Sequence, residues 1–208
     1  MIVSSMNTCE LVREILLDAS SVERKANYLS DGLRRTAVKS KDKNFYQIFE
    51  YKSKRQNNWL IVINYFKGLP TFHTIVYYLN EQGINAISIG DNEKLYRFSP
   101  HFLIRYNERF LKQENISKLD LLKRFITVNK AGITEIDDNN VYIFCRFTEG
   151  IALGDIETID YRRRIYHFRT FISNQMVYDD QQHTAELASE YYERYCQELK
   201  KCTGIKSL

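Results

Sequence analysis

The order of strand-like and helix-like segments most restricts how this 208-residue chain can fold. Between residues 44 and 98, several β-like segments follow one another and are separated by turn residues, with no long helix between them. Because parallel strands need long crossover connections, this order favours antiparallel hairpins over a doubly wound parallel sheet. Helix-like segments precede and follow this block. The sequence therefore predicts an α+β fold in which a mainly antiparallel sheet is packed with several helices.

The predicted strands are short apolar or alternating runs bounded by turn residues. In chain order they are NFYQIFEYK, WLIVINYF, FHTIVYYL, INAISI, KLYRFS, NVYIFCRFT, IALGDIETI and RIYHFRTFIS. Alternation in the last strand divides its side chains between two faces. The predicted core face carries Tyr166, Phe168, Thr170 and Ile172. The predicted far face carries Ile165, His167, Arg169 and Phe171, and we expect His167 to be half-exposed there.

Five helices are predicted from capping residues and a period of 3.6 residues. The first covers residues 7–18, and a second begins after an N-cap at Ser20 or Ser21 and ends in the basic run 39–43. A third has Ser99 as N-cap and Pro100 at its first position, and runs to about Leu111. The fourth is capped by Ser117 and stopped by Gly132. The last begins at 179–180.

Composition agrees with long regular elements around a bulky core. The chain has only two prolines and eight glycines, but fifteen tyrosines and twelve phenylalanines. Its length suits a single α+β domain over residues 1–208. The best positions for a seam are 40–44 and 90–94, and residues 95–180 are the candidate catalytic core.

Charge and cysteine usage restrict the class of protein and its partners. The net charge of +4 permits an RNA or protein partner without requiring a nucleic acid, although residues 24–55 hold ten Lys or Arg against three acids. No signal peptide or membrane-length apolar run is evident, so we expect a cytoplasmic protein that does not enter a membrane. Nucleotide-binding loops and zinc spacings are absent, so no cofactor and no metal are expected. His73 is expected to be structural, and His183 to lie near a helix start.

The segment SPHFLIRYNERF carries the candidate site. A helix turns by about 100° per residue, so His101, Arg105 and Arg109 form one slightly drifting stripe. Phe102, Tyr106 and Phe110 lie one residue further along and should pack into the core. The stripe therefore lies at the boundary between core and solvent. That boundary suits either a cleft or a row of arginines held by Glu108.

The residue types of the stripe match metal-independent RNA cleavage. This reaction needs a base for the 2′-hydroxyl proton and cations against the charge that develops on phosphorus. Histidine changes protonation near neutral pH, and arginine grips phosphate with two donors. A helix packed on the core face of the last strand could bring the Thr170 hydroxyl near His101. The candidate catalytic residues are therefore His101, Arg105, Arg109 and Thr170.

The same segment resembles an H-F-x-x-R-Y-x-E-R-F helix of uncharacterised bacterial proteins. It is more remotely similar to small ribonuclease toxins of the barnase, EndoU, colicin and RelE-type fold, many of which carry H-A-x-x-R and a further arginine. YHFRTFIS resembles a late strand of that group. The resemblance covers roughly residues 95–180. It implies a toxin-like ribonuclease in which His101 is the general base, the two arginines bind the scissile phosphate, and Thr170 orients the histidine or the phosphate.

Two hypotheses remain open from the sequence. The first is the metal-independent ribonuclease-like protein. The second is a non-enzymatic module in which the stripe is a docking surface for protein or nucleic acid. They differ in geometry, because catalysis requires His101, Arg105 and Thr170 to line one concavity, whereas pairing of the arginines with Glu108 favours docking. The sequence leaves the oligomeric state undetermined.

Overall fold

The computed structural model describes residues 1–39, 44–66, 69–90, 94–129, 133–136, 142–160 and 163–174. Its helices are α1 (Thr8–Lys39), α2 (Pro100–Tyr106) and α3 (Lys118–Val128), and a π-helical turn, Asn107–Leu111, follows α2. Its strands are β1 (Asn44–Lys52), β2 (Asn58–Phe66), β3 (Leu69–Asn80), β4 (Gly83–Ile89), β5 (Leu95–Phe98), β6 (Ile133–Ile136), β7 (Tyr142–Arg146), β8 (Gly150–Thr158) and β9 (Arg164–Ser173). The predicted α+β class is confirmed.

The strands form one sheet in the order β1-β2-β3-β4-β5-β9-β8-β7-β6. Every pair is antiparallel except β5 with β9, which is parallel. The chain builds one half by successive hairpins, leaves the sheet through α2 and α3, and builds the other half from the far edge inward. The two halves join where β9 pairs with β5. The strands on either side of the proposed seam at 90–94 are hydrogen-bonded neighbours.

Helices cover both faces of the sheet. On one face, the Phe102 ring from α2 lies 5.1 Å from that of Phe125 and 5.9 Å from that of Phe171. On the other face, Ile15 and other residues of α1 pack in a cluster with Trp59 and further strand residues. Strands buried on both faces read as continuous apolar runs, which explains WLIVINYF in β2.

The predicted break between the first two helices is wrong, because α1 is one helix of 32 residues. The Ser21 hydroxyl does not cap a new helix and instead donates to the Asp18 carbonyl at 2.8 Å. Asp18 is buried and accepts a hydrogen bond from Trp59 Nε1 at 2.9 Å. The inward face continues through this point with Val22 and Ala26, both fully buried. Burial against the sheet therefore outweighs the capping tendency of the serines.

The helix starting after Ser117 begins as predicted but ends at Val128, before Gly132. Asn129 closes it with a side-chain amide that donates to the Phe125 carbonyl at 3.2 Å. The four-residue strand β6 was not predicted. The final helix predicted from 179 onwards, with His183, lies outside the described residues.

A bulge lies where β9 pairs with β8. Leu153 is opposite Thr170, but the next residue, Gly154, is opposite Phe168. Arg169 is therefore an extra residue in β9. An extra residue in one strand shifts the alternation of side chains beyond it.

This shift corrects the predicted faces of β9. Phe171 belongs to the same aromatic cluster as Phe168, so its predicted place on the far face is wrong. After the bulge, alternation takes Thr170 and Ile172 off the core face. Strict period-two alternation failed here because nothing in RIYHFRTFIS marks the extra residue.

Replacing Gly154 by alanine is expected to lower the free energy of unfolding by about 2 kcal/mol. An added Cβ would overlap the backbone oxygen of His167 and crowd Phe168 across the bulge. Gly32→Ala is the matched control, because its Cβ would meet nothing within 4 Å in α1 and alanine favours helix. Urea unfolding measures both. An unchanged stability for Gly154→Ala would contradict the tight approach of β8 to β9.

Candidate functional site

Helix α2 begins as the sequence predicts. Ser99 is its N-cap and accepts from the Phe102 amide at 3.2 Å, and Pro100 lies at the start of the helix. Phe102 and Tyr106 are fully buried, which fixes the rotation of the helix about its axis. The side chains one position away, including His101, therefore lie at the outer boundary.

His101, Arg105 and Glu108 form a connected row on this outer face. Arg105 Nε lies 3.4 Å from His101 Nε2, in a long hydrogen bond, and Arg105 Nη1 donates to Glu108 Oε2 at 2.8 Å. His101 is exposed, and the side chains of Arg105 and Glu108 remain 39% and 52% exposed. Of the two pairings that the helix spacing allows Glu108, with Arg105 or with Lys112, the structure forms the one with Arg105. Arg105 is thus an oriented surface cation, already shared with a carboxylate.

Arg109 leaves the predicted stripe because the helix widens into a π-turn. The Lys112 amide donates to the Asn107 carbonyl at 2.7 Å, five residues back. Residues in such a turn advance by less rotation than in an α-helix. Arg109 consequently points to β9, where its Nη1 donates to the Phe171 carbonyl at 2.7 Å. β5 pairs with β9 only as far as Phe168, so the Phe171 carbonyl has no partner from β5. Arg109 supplies the hydrogen bond that this carbonyl needs.

Thr170 contacts the candidate site only at Arg109, among the four predicted residues. Its hydroxyl lies 3.5 Å from Arg109 Nη1, at the limit of a hydrogen bond. The structure therefore brings the four predicted residues together as two pairs, His101 with Arg105 and Arg109 with Thr170. The expected approach of Thr170 to His101 is replaced by this contact with Arg109.

Behind the exposed row, Glu149 holds α2 in place, a role that no local sequence pattern indicates. The Tyr106 hydroxyl donates to its Oε2 at 2.6 Å, and Arg124 Nη2 donates to its Oε1 at 2.6 Å. Asn129 Nδ2 donates to Oε2 at 2.9 Å. One buried carboxylate thereby ties α2, the end of α3 and the turn before β8 together.

The protonation of this cluster follows from its contacts. Burial alone would raise the pKa of Glu149, but hydrogen bonds from Tyr106, Arg124 and Asn129 outweigh burial and hold that pKa below its ordinary value. Burial and the Glu149 carboxylate raise the pKa of Tyr106. Glu149 is therefore charged and Tyr106 neutral at pH 7, as a structural network requires.

A second polar group, on the α1 face of the central strands, was missed by the sequence analysis. Arg97 on β5 donates through Nη2 to the Tyr78 hydroxyl at 3.1 Å and to Asn85 Oδ1 at 3.2 Å. Arg97 is also directly opposite His167 on β9. Polar side chains from β3, β4, β5 and β9 thus form one row across the sheet.

The predicted half-exposed position of His167 is wrong. The residue is only 7% exposed, because β9 is an interior strand of the sheet. Burial and the neighbouring Arg97 and Arg169 lower the pKa of His167 to about 4, although Asp155 opposes the shift. The imidazole is therefore neutral at pH 7. A lone Arg and a lone His within apolar strands were the only sequence signals, and the pairing of β5 with β9 is not encoded locally.

One cavity among the described residues lies elsewhere. Its volume is about 790 Å³, its lining includes His73, Lys94, Tyr96 and Phe125, and none of the four predicted catalytic residues lines it. No group of three or more His, Cys, Asp or Glu that could hold a metal is found among the described residues. Within the same ranges, no helix has the length and apolar character needed to cross a bilayer.

Comparisons with known proteins add no family. No protein-family model, no curated protein and no solved structure matches this chain. The resemblance to ribonuclease toxins stays a prediction.

Proposed function

We propose that this protein is a non-enzymatic module that binds single-stranded RNA through the exposed face of α2. The observation that carries the proposal is the row of His101 and Arg105, together with two exposed apolar side chains on α2 and on the π-turn that follows it. Ile104 is 44% exposed. Phe110, which was expected to pack into the core, is 38% exposed, although one side of its ring stacks on Tyr106 at 5.9 Å. Proteins that bind single strands combine cations for the phosphates with rings on which bases stack. Arg105 would supply the cation, with His101 as a neighbouring hydrogen-bonding group, and Phe110 would supply the ring.

The contacts of the arginines favour binding over catalysis. Glu108 already occupies part of the Arg105 guanidinium, and Arg109 donates to the main chain of β9. Arg105 contacts His101, but Arg109 is directed to β9, so the two arginines do not converge with His101 on one point, as stabilisation of a phosphorane by both would require. An exposed, oriented cation is nevertheless sufficient to position an RNA backbone.

Metal-independent RNA cleavage is the second candidate, and one observation favours it. Arg105 lies between the His101 imidazole and the Glu108 carboxylate, so a phosphate on that guanidinium would have two acid–base groups beside it. Incubation of the protein with RNA in EDTA tests this candidate. Cleavage by the wild-type protein that is lost in His101→Ala would establish the ribonuclease activity. RNA that stays intact with the wild-type protein would rule out cleavage and leave RNA binding as the remaining proposal.

Replacing Arg105 by alanine is expected to weaken RNA binding by about tenfold. It should also reduce the slope of log affinity against log salt concentration by about one unit, because one phosphate contact is lost. Fluorescence anisotropy of a labelled mixed-sequence single strand measures both, with a wild-type Kd in about the micromolar range. Glu108→Gln should strengthen binding, because it removes a negative charge and releases Arg105. Arg24→Ala, which removes an exposed arginine of α1, is the matched control.

Two results would contradict the binding proposal. One is the absence of RNA binding by the wild-type protein at about 100 µM, the weak limit of non-specific affinity. The other is an equal loss of affinity in Arg105→Ala and Arg24→Ala, which would show that net charge alone controls binding.

A further inference from the structure

The row of polar side chains on the α1 face contains buried nitrogen atoms without partners. Arg97 Nε, Asn85 Nδ2 and His167 Nε2 are each buried and make no hydrogen bond. Asn85 is only 1% exposed and His167 only 7% exposed. Arg97 Nε and Asn85 Nδ2 are N–H donors, and His167 Nε2 is one when it carries the proton of the neutral imidazole. A buried donor left without an acceptor costs about 1–3 kcal/mol, so these neighbouring nitrogen atoms indicate that an acceptor belongs there.

These three atoms belong to one neighbourhood. Arg97 Nη2 donates to Asn85 Oδ1 at 3.2 Å, which places the guanidinium against the amide. Arg97 and His167 are directly opposite in the parallel pair of β5 and β9. Asn85 is opposite Tyr78, whose hydroxyl also accepts from Arg97. The guanidinium is therefore the centre of the group, with the amide on one side and the imidazole on the other.

The charges around this centre do not balance. Arg169 forms a two-point ion pair with Asp155, so that pair is neutral. His167 is neutral at pH 7 because burial and the adjacent arginines lower its pKa. Among the described residues, no carboxylate lies within ion-pair distance of Arg97. Within that part of the chain one positive charge remains uncompensated, and a water molecule would satisfy the donors without balancing it.

We propose that Arg97, Asn85 and His167 form a binding site for a small oxyanion, either a carboxylate or a phosphate group. An oxyanion supplies hydrogen-bond acceptors for the unpartnered nitrogen atoms and a negative charge that balances Arg97. Guanidinium groups bind both anions through paired N–H donors. The site is reachable, since Arg97 and Tyr78 are partly exposed and the Arg169 side chain is 57% exposed. It is separate from the exposed row on α2.

Titration with inorganic phosphate and with acetate tests this site. Isothermal calorimetry and the Tm are measured on the full chain, with sodium chloride at equal ionic strength as the reference. We expect saturable binding of at least one anion and a matching rise in Tm. Arg97→Met should weaken that binding by about tenfold or more. Arg24→Met, which removes an exposed arginine elsewhere, should leave it unchanged.

Asn85→Asp provides a second variant that does not depend on the fold surviving loss of Arg97. It places a carboxylate where the unpartnered amide nitrogen lies. We expect a higher Tm in buffer without phosphate or carboxylate, and loss of the response to the anion. The proposal is overturned if neither anion binds the wild-type protein, if chloride raises Tm equally, or if Arg97→Met or Asn85→Asp responds as the wild type does.

Discussion

Replacing Glu149 by alanine is expected to lower the free energy of unfolding by about 3 kcal/mol. The substitution removes the acceptor of the Tyr106 hydroxyl and of the Asn129 amide, both of which are buried. Arg124 is partly exposed and can regain water, so most of the cost comes from the other two donors. Loss of this carboxylate also removes the polar link between α2 and α3, leaving the aromatic contacts with Phe125, and this should loosen the face that carries Arg105.

Urea unfolding at pH 7 checks this expectation. Glu149→Gln keeps the shape and one acceptor oxygen and should cost less than alanine. Glu114→Ala, which removes an exposed glutamate after the π-turn, should change the free energy by no more than about 0.5 kcal/mol. If Glu149→Ala behaved like Glu114→Ala, the network would not hold α2 in place.

Acidification below about pH 6.5 is expected to reduce stability through His167. The pKa of this residue is 6.5 in its ordinary state and about 4 in the folded protein, because burial, Arg97 and Arg169 disfavour its charge and Asp155 only partly opposes them. Between pH 6.5 and about pH 4, His167 is protonated in the unfolded chain but remains neutral in the folded protein. Stability is therefore complete above the ordinary pKa and falls with pH, by about 2 kcal/mol at pH 4.5.

The pH dependence of urea unfolding, in buffer without phosphate or carboxylate, measures this effect. His167→Asn should flatten the curve between about pH 7 and pH 4.5, because asparagine does not titrate there. His101→Asn, which removes an exposed histidine, should retain the slope of the wild type. Parallel curves for the wild type and His167→Asn would contradict a buried neutral imidazole.

Local sequence features predicted the part of the candidate site that depends on one helix. Ser99 and Pro100 start α2 as expected, and the spacing of His101, Arg105 and Glu108 is sufficient to bring them into contact. The direction of Arg109 was not predictable in this way. It depends on a π-turn and on an unpaired carbonyl of β9, and that carbonyl is brought to the turn only by folding.

The polar row around Arg97 shows the same limit over a longer distance. Arg97 and His167 are 70 positions apart in the chain, and only the parallel pairing of β5 with β9 makes them neighbours. Nothing in KLYRFS or RIYHFRTFIS specifies that partner. The burial of His167, its lowered pKa and the unpartnered nitrogen atoms all follow from this pairing.

By itself, the sequence determined the fold class, the positions of most strands and the start of α2, because alternation, turn residues and capping act over a few residues. Tertiary structure decided where α1 continued, which face Phe171 occupied and which charges met across the sheet. Those outcomes depend on burial and on pairing between distant segments. The free energy gained from burial and strand pairing outweighs local capping and alternation preferences only after the sheet has formed.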